Sequence, residues 1–237
     1  MDGVFSLIDP ELSLLAKERD RFLAIGTTPI VSSYELCEMW LDKFQMYQKL
    51  CEMQIPTGKC FVDQELFKEA VAKGEITFPV FVKPARGSAS ININKVNSMK
   101  EIVLLFELYD GLMIQEFMDG QEYGADVYID LLSGKWTSIF VKKKITMRAG
   151  ETDKSVSVKD ETLFAMIRDF VETCGLRGMI DIDIFKIDGT YYLSEVNPRF
   201  GGGYPHAYEA GVNMPRQVLP NLRGEENPVI IGDYEEG

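Results

Sequence analysis

Hydrophobic and polar positions follow two different periods along this chain. Spacing of three and four residues, the signature of an amphipathic helix, runs through ELSLLAKERDRFLAIG, SYELCEMWLDKFQMYQKLCEMQI, QELFKEAVAKG, MKEIVLLFELY and KDETLFAMIRDFVETCG. Asp9 can cap and Pro10 open the first of these, Ser33 can cap the second with Pro56 closing it, and Gly74 stands just past the third. Short apolar runs or strict alternation mark strands at VFSLI, PIVSS and GLMIQEFM, and a strand, small-residue loop and strand in FPVFVKPARGSASINI. Two hairpins follow from alternation: EYGADVYIDLLSGKWTSIFVKKKITM around Ser133-Gly134, and Met179 to Val196. A final helix is expected after the glycine loop. Strands and helices mix without regular alternation, which predicts an α+β or composite α/β architecture rather than a doubly wound sheet or a barrel. The opening strand, helix and strand are too few to complete a parallel sheet. Either they pad the main domain, or a preceding βαβ portion is missing or supplied by another chain.

The second hairpin carries two oxygen-rich pairs, Asp181/Asp183 and Glu195/Asn197. A two-residue Asp188-Gly189 loop would set Asp183 against Ser194 and Ile182 against Glu195, mixing acids with isoleucines. A three-residue loop, Ile187-Asp188-Gly189 with Gly189 left-handed, gathers Ile180, Ile182, Ile184, Tyr192 and Val196 on one face. It leaves Asp181, Asp183, Leu193, Glu195 and Asn197 on the other. The three-residue register is therefore expected. Such a face is either a solvated sheet surface or a hard-oxygen site suited to Mg2+ or Mn2+ with phosphates completing the shell. The arginine and glycines that follow, Arg199 and Gly201 to Gly203, favour the metal.

Two other segments suit an anion or a nucleotide. In VFVKPARGSASI, Lys83 ends an apolar strand and is followed by Ala85, Gly87, Ser88, Ala89 and Ser90, small residues that let backbone N–H groups approach a phosphate. The segment is neither a Walker A loop nor a dinucleotide fingerprint. In MIQEFMDGQEYGADV, an apolar strand delivers Gln115, Glu116 and Phe117, whose extended backbone can pair with an adenine edge, and Glu122 can accept ribose hydroxyls.

Composition narrows the partners. The 237 residues are 46% hydrophobic, as in an ordinary globular core, and carry a formal charge of −12. So acidic a chain argues against nucleic acid or an anionic membrane as partner, so that an anionic substrate must be met by a local group of Lys and Arg. No apolar run approaches the roughly 20 residues that span a bilayer, and MDGVFSLIDPEL lacks a basic leader, so a cytoplasmic location is expected. Cys37, Cys51, Cys60 and Cys174 show no metal or redox spacing and are expected to be reduced, mostly buried thiols.

Taken together and in this order, LDK at 41–43, FPVFVKPARGSAS at 78–90, IQEFMDGQEYGADV at 114–127, MRAGE at 147–151, DIDIF at 181–185 and EVNPRFGGG at 195–203 resemble the ATP-grasp superfamily. The likeness is in particular to its carbamoyl-phosphate-synthase-like and carboxylate-amine ligase branches, and covers about residues 33 to 225. It implies an α+β fold in which two α+β subdomains, 41–118 with a flexible lid and 119–237 with the metal and substrate site, clasp ATP. Residues 1–40 are then the truncated remnant of an N-terminal α/β portion. By resemblance Lys43 and Lys83 contact ATP phosphates under a lid formed by 85–90, which includes Gly87 and Ser88. Gln115, Glu116 and the Phe117 and Met118 backbone hold adenine, and Glu122 holds ribose. Asp183, Glu195 and Asn197 bind Mg2+ or Mn2+. Arg199 stabilises the transferred phosphoryl group, with Lys144 and Arg148 near the same anionic centre.

The implied activity is phosphoryl transfer from ATP to a small carboxylate, giving an acyl phosphate that an amine, or less often a thiol, attacks. Such chemistry asks for charge neutralisation and alignment rather than a Ser-His or Cys-His nucleophile. Bicarbonate phosphorylation of the carbamoyl-phosphate-synthase kind, or nucleotide binding without ligation, are the alternatives. Gly201 to Gly203 stand where bicarbonate-phosphorylating relatives usually place another basic residue, and are expected to leave room for a larger carboxylate. His206, the single histidine, is expected near the acceptor site as a substrate contact or in a packing role. A homodimer, or a partner chain supplying the N-terminal portion, is compatible with this reading.

Overall fold

The computed structural model describes residues 1–87, 93–148 and 151–237, the side chain of Glu151 excepted. The chain opens with β1 (Gly3–Val4), α1 (Asp9–Lys17), α2 (Arg19–Ala24) and β2 (Thr28–Pro29), then α3 (Tyr34–Leu41), α4 (Lys43–Glu52) and β3 (Cys60–Phe61). After α5 (Gln64–Ala72) come β4 (Val80–Pro84), β5 (Asn94–Val96), α6 (Met99–Leu108) and β6 (Leu112–Glu116). The remainder is β7 (Gln121–Ile129), β8 (Trp136–Arg148), β9 (Glu151–Val158), α7 (Glu161–Cys174), β10 (Gly178–Ile187), β11 (Thr190–Asn197), α8 (Tyr204–Glu209) and α9 (Met214–Leu222).

Two antiparallel sheets dominate. The smaller has the order β3-β6-β4-β5 and the larger β11-β10-β7-β8-β9, while β1 and β2 form a two-stranded parallel ladder. One face of the small sheet, Val80, Val82 and Ile114, packs with Phe67 and Ala70 of α5 and Ile102 of α6. One face of the large sheet, including Val127, Ile139, Val141, Ile180 and Ile182, packs with Leu163, Ile167 and Phe170 of α7, with Leu50 of α4 and with Trp40. The α+β architecture expected from the pattern is present, and no helix among the described residues is long and apolar enough to cross a membrane. Of the four free cysteines, Cys37 and Cys60 are buried, Cys174 is half-buried and Cys51 is exposed.

Several elements depart from their expected form for local reasons. The long helix expected from Ser33 is two helices, because Asp42 is extended (φ −97°, ψ 104°) and its carboxylate accepts from the Phe44 and Gln45 amides, capping α4 afresh. Lys43 thereby becomes the first residue of α4. The first predicted helix likewise divides at Glu18, and Asp9 is the first residue of α1 rather than its cap: Ile8 holds the cap position and no side chain caps the helix. The strands expected at VFSLI and PIVSS shrink to two residues each, while the strand expected in SASINI falls on residues 88–92, outside the described residues, with β5 following at Asn94–Val96. The helix after the glycines is two, α8 and α9. The edge strand β9 and the short β3 carry too little alternation to have been anticipated.

The hairpin register differs from the one expected. The loop is the two-residue Asp188-Gly189 turn, both residues left-handed (φ 48° and 85°), pairing Ile187 with Thr190 and Ile184 with Leu193. A β-bulge then passes over Ser194, so that Asp183 pairs with Glu195, Ile182 with Val196 and Asp181 with Asn197. The bulge reconciles a tight turn with the separation of acids from isoleucines. It also exchanges two residues: Leu193 is buried beside Ile184 in the core, and Tyr192 pairs with Phe185 on the charged face.

Candidate active site

Strand parity assembles one charged face on the large sheet. Its ladder pairs run in rows: Glu195, Asp183, Gly124 and Lys142 in one, and Asn197, Asp181, Asp126 and Phe140 in the next, while Phe185 pairs with Glu122, whose carboxylate accepts from Lys144. Opposite lies the face of the small sheet that carries Lys83 and Met113 as one cross-strand pair and Phe81 and Gln115 as another. Lys43 joins from the start of α4, its backbone N–H donating to the Ala85 carbonyl and its ammonium to the Gly87 carbonyl at 2.6 Å.

The lysines meet the acids across this cleft. Lys43 Nζ lies 3.7 Å from Glu195 Oε1. Lys83 is 7% exposed, and burial pulls its pKa down; Glu195 and Asp183 act to raise it, and the neighbouring Lys43 lowers it further. Lys144 donates to Glu122 Oε1 at 2.5 Å and Asp183 Oδ1 at 2.6 Å. Burial opposes its charge, but these two carboxylates outweigh burial and hold the ammonium above the ordinary lysine range. Arg148, expected beside it, is exposed four residues further along β8, roughly 13 Å away along the strand.

The residues expected on the nucleotide side are also engaged. Gln115 is buried, and the Glu116 carboxylate accepts from the Lys59 amide at 2.9 Å. Phe117 packs its ring against Phe81 and beneath the Lys95 ammonium, 4.0 Å from the ring centroid. Met118 is buried against Gly58. Ser88, with the part of the expected lid that runs to residue 90, lies outside the described residues, as do residues 149 and 150 of the MRAGE segment.

Arg199 is held by Asp9, with Nε donating to Oδ1 at 2.9 Å and Nη2 to Oδ2 at 3.1 Å. Burial works against the guanidinium, but Asp9 and Asp181 raise its pKa. Asn197 Nδ2 donates to Asp181 Oδ2 at 3.3 Å. Burial, then Asp183 and Asp126, push the Asp181 carboxyl up to about 8 despite Lys142 and Arg199. Beneath the glycine loop lies an ion pair that the sequence reading missed: Lys142 Nζ donates to Asp126 Oδ2 at 2.6 Å, with both side chains 2% exposed. The signal was the even spacing of Glu122, Asp126, Lys142 and Lys144 on alternating strands.

A Cβ on Gly201 would collide with the Asp181 carboxylate, and one on Gly203 would stand 2.7 Å from Lys142 Nζ. At 201 and 203 the glycines let the loop lie directly on the charged floor. His206 sits beyond this loop, its Nδ1 2.7 Å from Ser155 Oγ and its ring edge-on to Phe140 at 4.9 Å. Burial, then Lys142, lowers its pKa, with Asp126 opposing.

A family model described as the ATP-grasp domain matches residues 40–203, and the chain belongs to this family. It is 30% identical over 170 residues to the vancomycin B-type resistance protein VanB of Enterococcus faecalis, covering 60% of this chain and 50% of that one. To the arginine-specific carbamoyl phosphate synthase large chain of Geobacillus stearothermophilus it is 27% identical over 219 residues, 86% of this chain and 21% of that one. Among solved structures, the biotin carboxylase domain of Hydrogenobacter thermophilus 2-oxoglutarate carboxylase, in complex with MgADP, ADP and bicarbonate, superposes with a TM-score of 0.77 at 16% identity over 100% of this chain and 56% of that one. D-alanyl-alanine synthetase A of Vibrio cholerae superposes with a TM-score of 0.69 at 16% identity over 94% of this chain and 76% of that one. The chain thus spans half of VanB and about a fifth of the synthase chain.

Proposed function

We propose that this chain carries out the ATP- and Mg2+-dependent activation step of a ligase that joins a small carboxylate to an amine, or less often to a thiol. The observation that carries the reading is the convergence of Lys43 and Lys83, from α4 and the small sheet, on Glu195 and Asp183 of the large sheet. Without nucleotide, these acids and ammonium groups neutralise one another. A polyphosphate with its counter-cation satisfies both sets at once, its oxygens meeting the lysines and the cation meeting the acids.

The residues present fit a magnesium ion shared with phosphates. Asp183 and Glu195 are direct cross-strand partners with hard oxygen donors, and Asn197 follows on the same face. Among the described residues no group of three His, Cys, Asp or Glu side chains is gathered to hold a metal, so the metal role rests on the pairing of Asp183 with Glu195. When bound there, Mg2+ would supply charge neutralisation between phosphates. Lys43 and Lys83 hold the polyphosphate, Gln115, Glu116, Phe117 and Met118 border the adenine, and Glu122 takes the ribose hydroxyls. The substrate carboxylate oxygen bonds to the γ-phosphorus as the bond to ADP breaks, with Arg199 and Lys144 balancing the charge of the oxyanion. The amine nitrogen then bonds to the acyl carbon, inorganic phosphate leaves, and the amine gives up a proton. Residues 41–118 and 119–237 are, in this reading, the two subdomains that hold ATP between them.

The test is ADP release from MgATP across a panel of amino and hydroxy acids, paired with calorimetry. ADP formation that requires a carboxylate is expected, and Lys83→Ala or Glu195→Ala should each weaken MgATP binding by about ten-fold or more. Unchanged affinity in both variants rejects the site.

A further inference from the structure

Asp9 and Arg199 lie 190 positions apart in the chain, yet their side chains form a two-pronged pair, 11% and 17% exposed. An arginine has five N–H donors on a rigid plane. Nε commits its single proton to Asp9 Oδ1, Nη2 commits one to Asp9 Oδ2, and Nη1 commits one to the Phe200 carbonyl at 2.9 Å. One proton remains on each of the two terminal nitrogens. Nη1 faces the charged sheet, 3.6 Å from Asp181 Oδ2, the same oxygen that accepts from Asn197. Asp9 also borders a small crevice together with Lys43, Gly87 and Asn197, so α1 forms part of the wall of the phosphate site.

We infer that Asp9 is a positioning residue for Arg199. It grips the guanidinium by its Nε edge and presents the two terminal nitrogens to an anion with paired oxygens, the phosphoryl group in transit or the acyl phosphate. This rests on the ligase reading above. Bidentate pairing fixes the plane of the guanidinium as well as its place, and a phosphoryl acceptor requires both. The competing role for Asp9 is local: an acid in the first turn of α1 stabilises that helix through its dipole.

The experiment compares Asp9→Ala and Asp9→Asn with the wild type and with Arg199→Lys. The Arg199 Nε–H resonance, identified by its loss in Arg199→Lys, should exchange slowly with solvent in the wild type and about ten-fold faster or more in Asp9→Ala. In ADP formation, Asp9→Asn should lower kcat by about 10- to 100-fold with KM for MgATP unchanged. Combining it with Arg199→Lys should bring no further loss, because both act through one group. A resonance that exchanges as slowly in Asp9→Ala as in the wild type overturns the inference, even where the melting temperature falls, since that result leaves Asp9 only its helix. Losses that add in the double variant overturn it equally. A wild type that forms no ADP with any carboxylate defeats the ligase reading, and the arginine resonance still decides whether Asp9 sets the guanidinium.

Discussion

On one face of the five-stranded sheet Val127, Ile139, Val141, Ile180 and Ile182 pack with α4 and α7; on the other, one step along each strand, lie Asp126, Lys142, Lys144, Asp181 and Asp183. The apolar face asks only that each side chain be of about the right volume, and neighbouring aliphatics can substitute for one another at modest cost. The charged face asks for pairing. β8 contributes its lysines, β7, β10 and β11 contribute the acids, and each ion pair crosses a strand boundary. A charge buried without its partner costs far more than a missing methyl group, so the two faces should fail in different ways.

The largest effect should come from breaking the innermost pair. Lys142→Ala leaves Asp126 buried without its cation and should destabilise the protein by about 3–5 kcal/mol in urea titrations, whereas Lys142→Met combined with Asp126→Leu should recover most of that loss. A double variant as unstable as the single one would mean that the face is held by packing, not by charge pairing.

Gly201→Ala should cost about 1–3 kcal/mol, since its methyl group must displace the Asp181 carboxylate or the loop itself. A variant with unaltered stability would show that the loop can lift away from the floor.

The last effect is a slope rather than an offset. In the metal-free protein Asp181 keeps its proton up to about 8. The unfolded chain releases that proton at about pH 4, so the folded state holds more protons between these values and stability falls as pH rises through that window. Asp181→Asn removes this contribution. The stability difference between wild type and variant should therefore change steadily from about pH 4 to 8, and a flat difference would contradict the raised pKa.

The sequence made the apolar face easy to read and the charged face only partly so. Alternation along β10 placed Asp181 and Asp183 opposite Ile180, Ile182 and Ile184 correctly, and Glu195 and Asn197 fell on the right face although their register was misjudged. The misjudgement came from Ser194, because a bulge leaves no compositional mark and only the tertiary ladder reveals it. The break at Asp42 was legible in principle, since an acid two and three residues ahead of the amides it caps is a local signal, but the helical period across it is unbroken. The pairing of Asp9 with Arg199 was not legible, since nothing in either segment refers to the other. The binding roles read from EVNPR, VFVKP and IQEF rest on the family likeness and on the convergence of those segments in space.

The bulge at Ser194 has an evolutionary side. It gives β11 a spare residue between the tip of the hairpin and the acids. Loss of one residue near Thr190 would draw Ser194 into the ladder opposite Ile184 with Glu195 still facing Asp183, but would turn Leu193 out of the core. The segment from Glu195 to Arg199 holds no such reserve. A change of length before Ser194 thus disturbs the packing of the core, whereas one after it would turn the acids themselves to the wrong face.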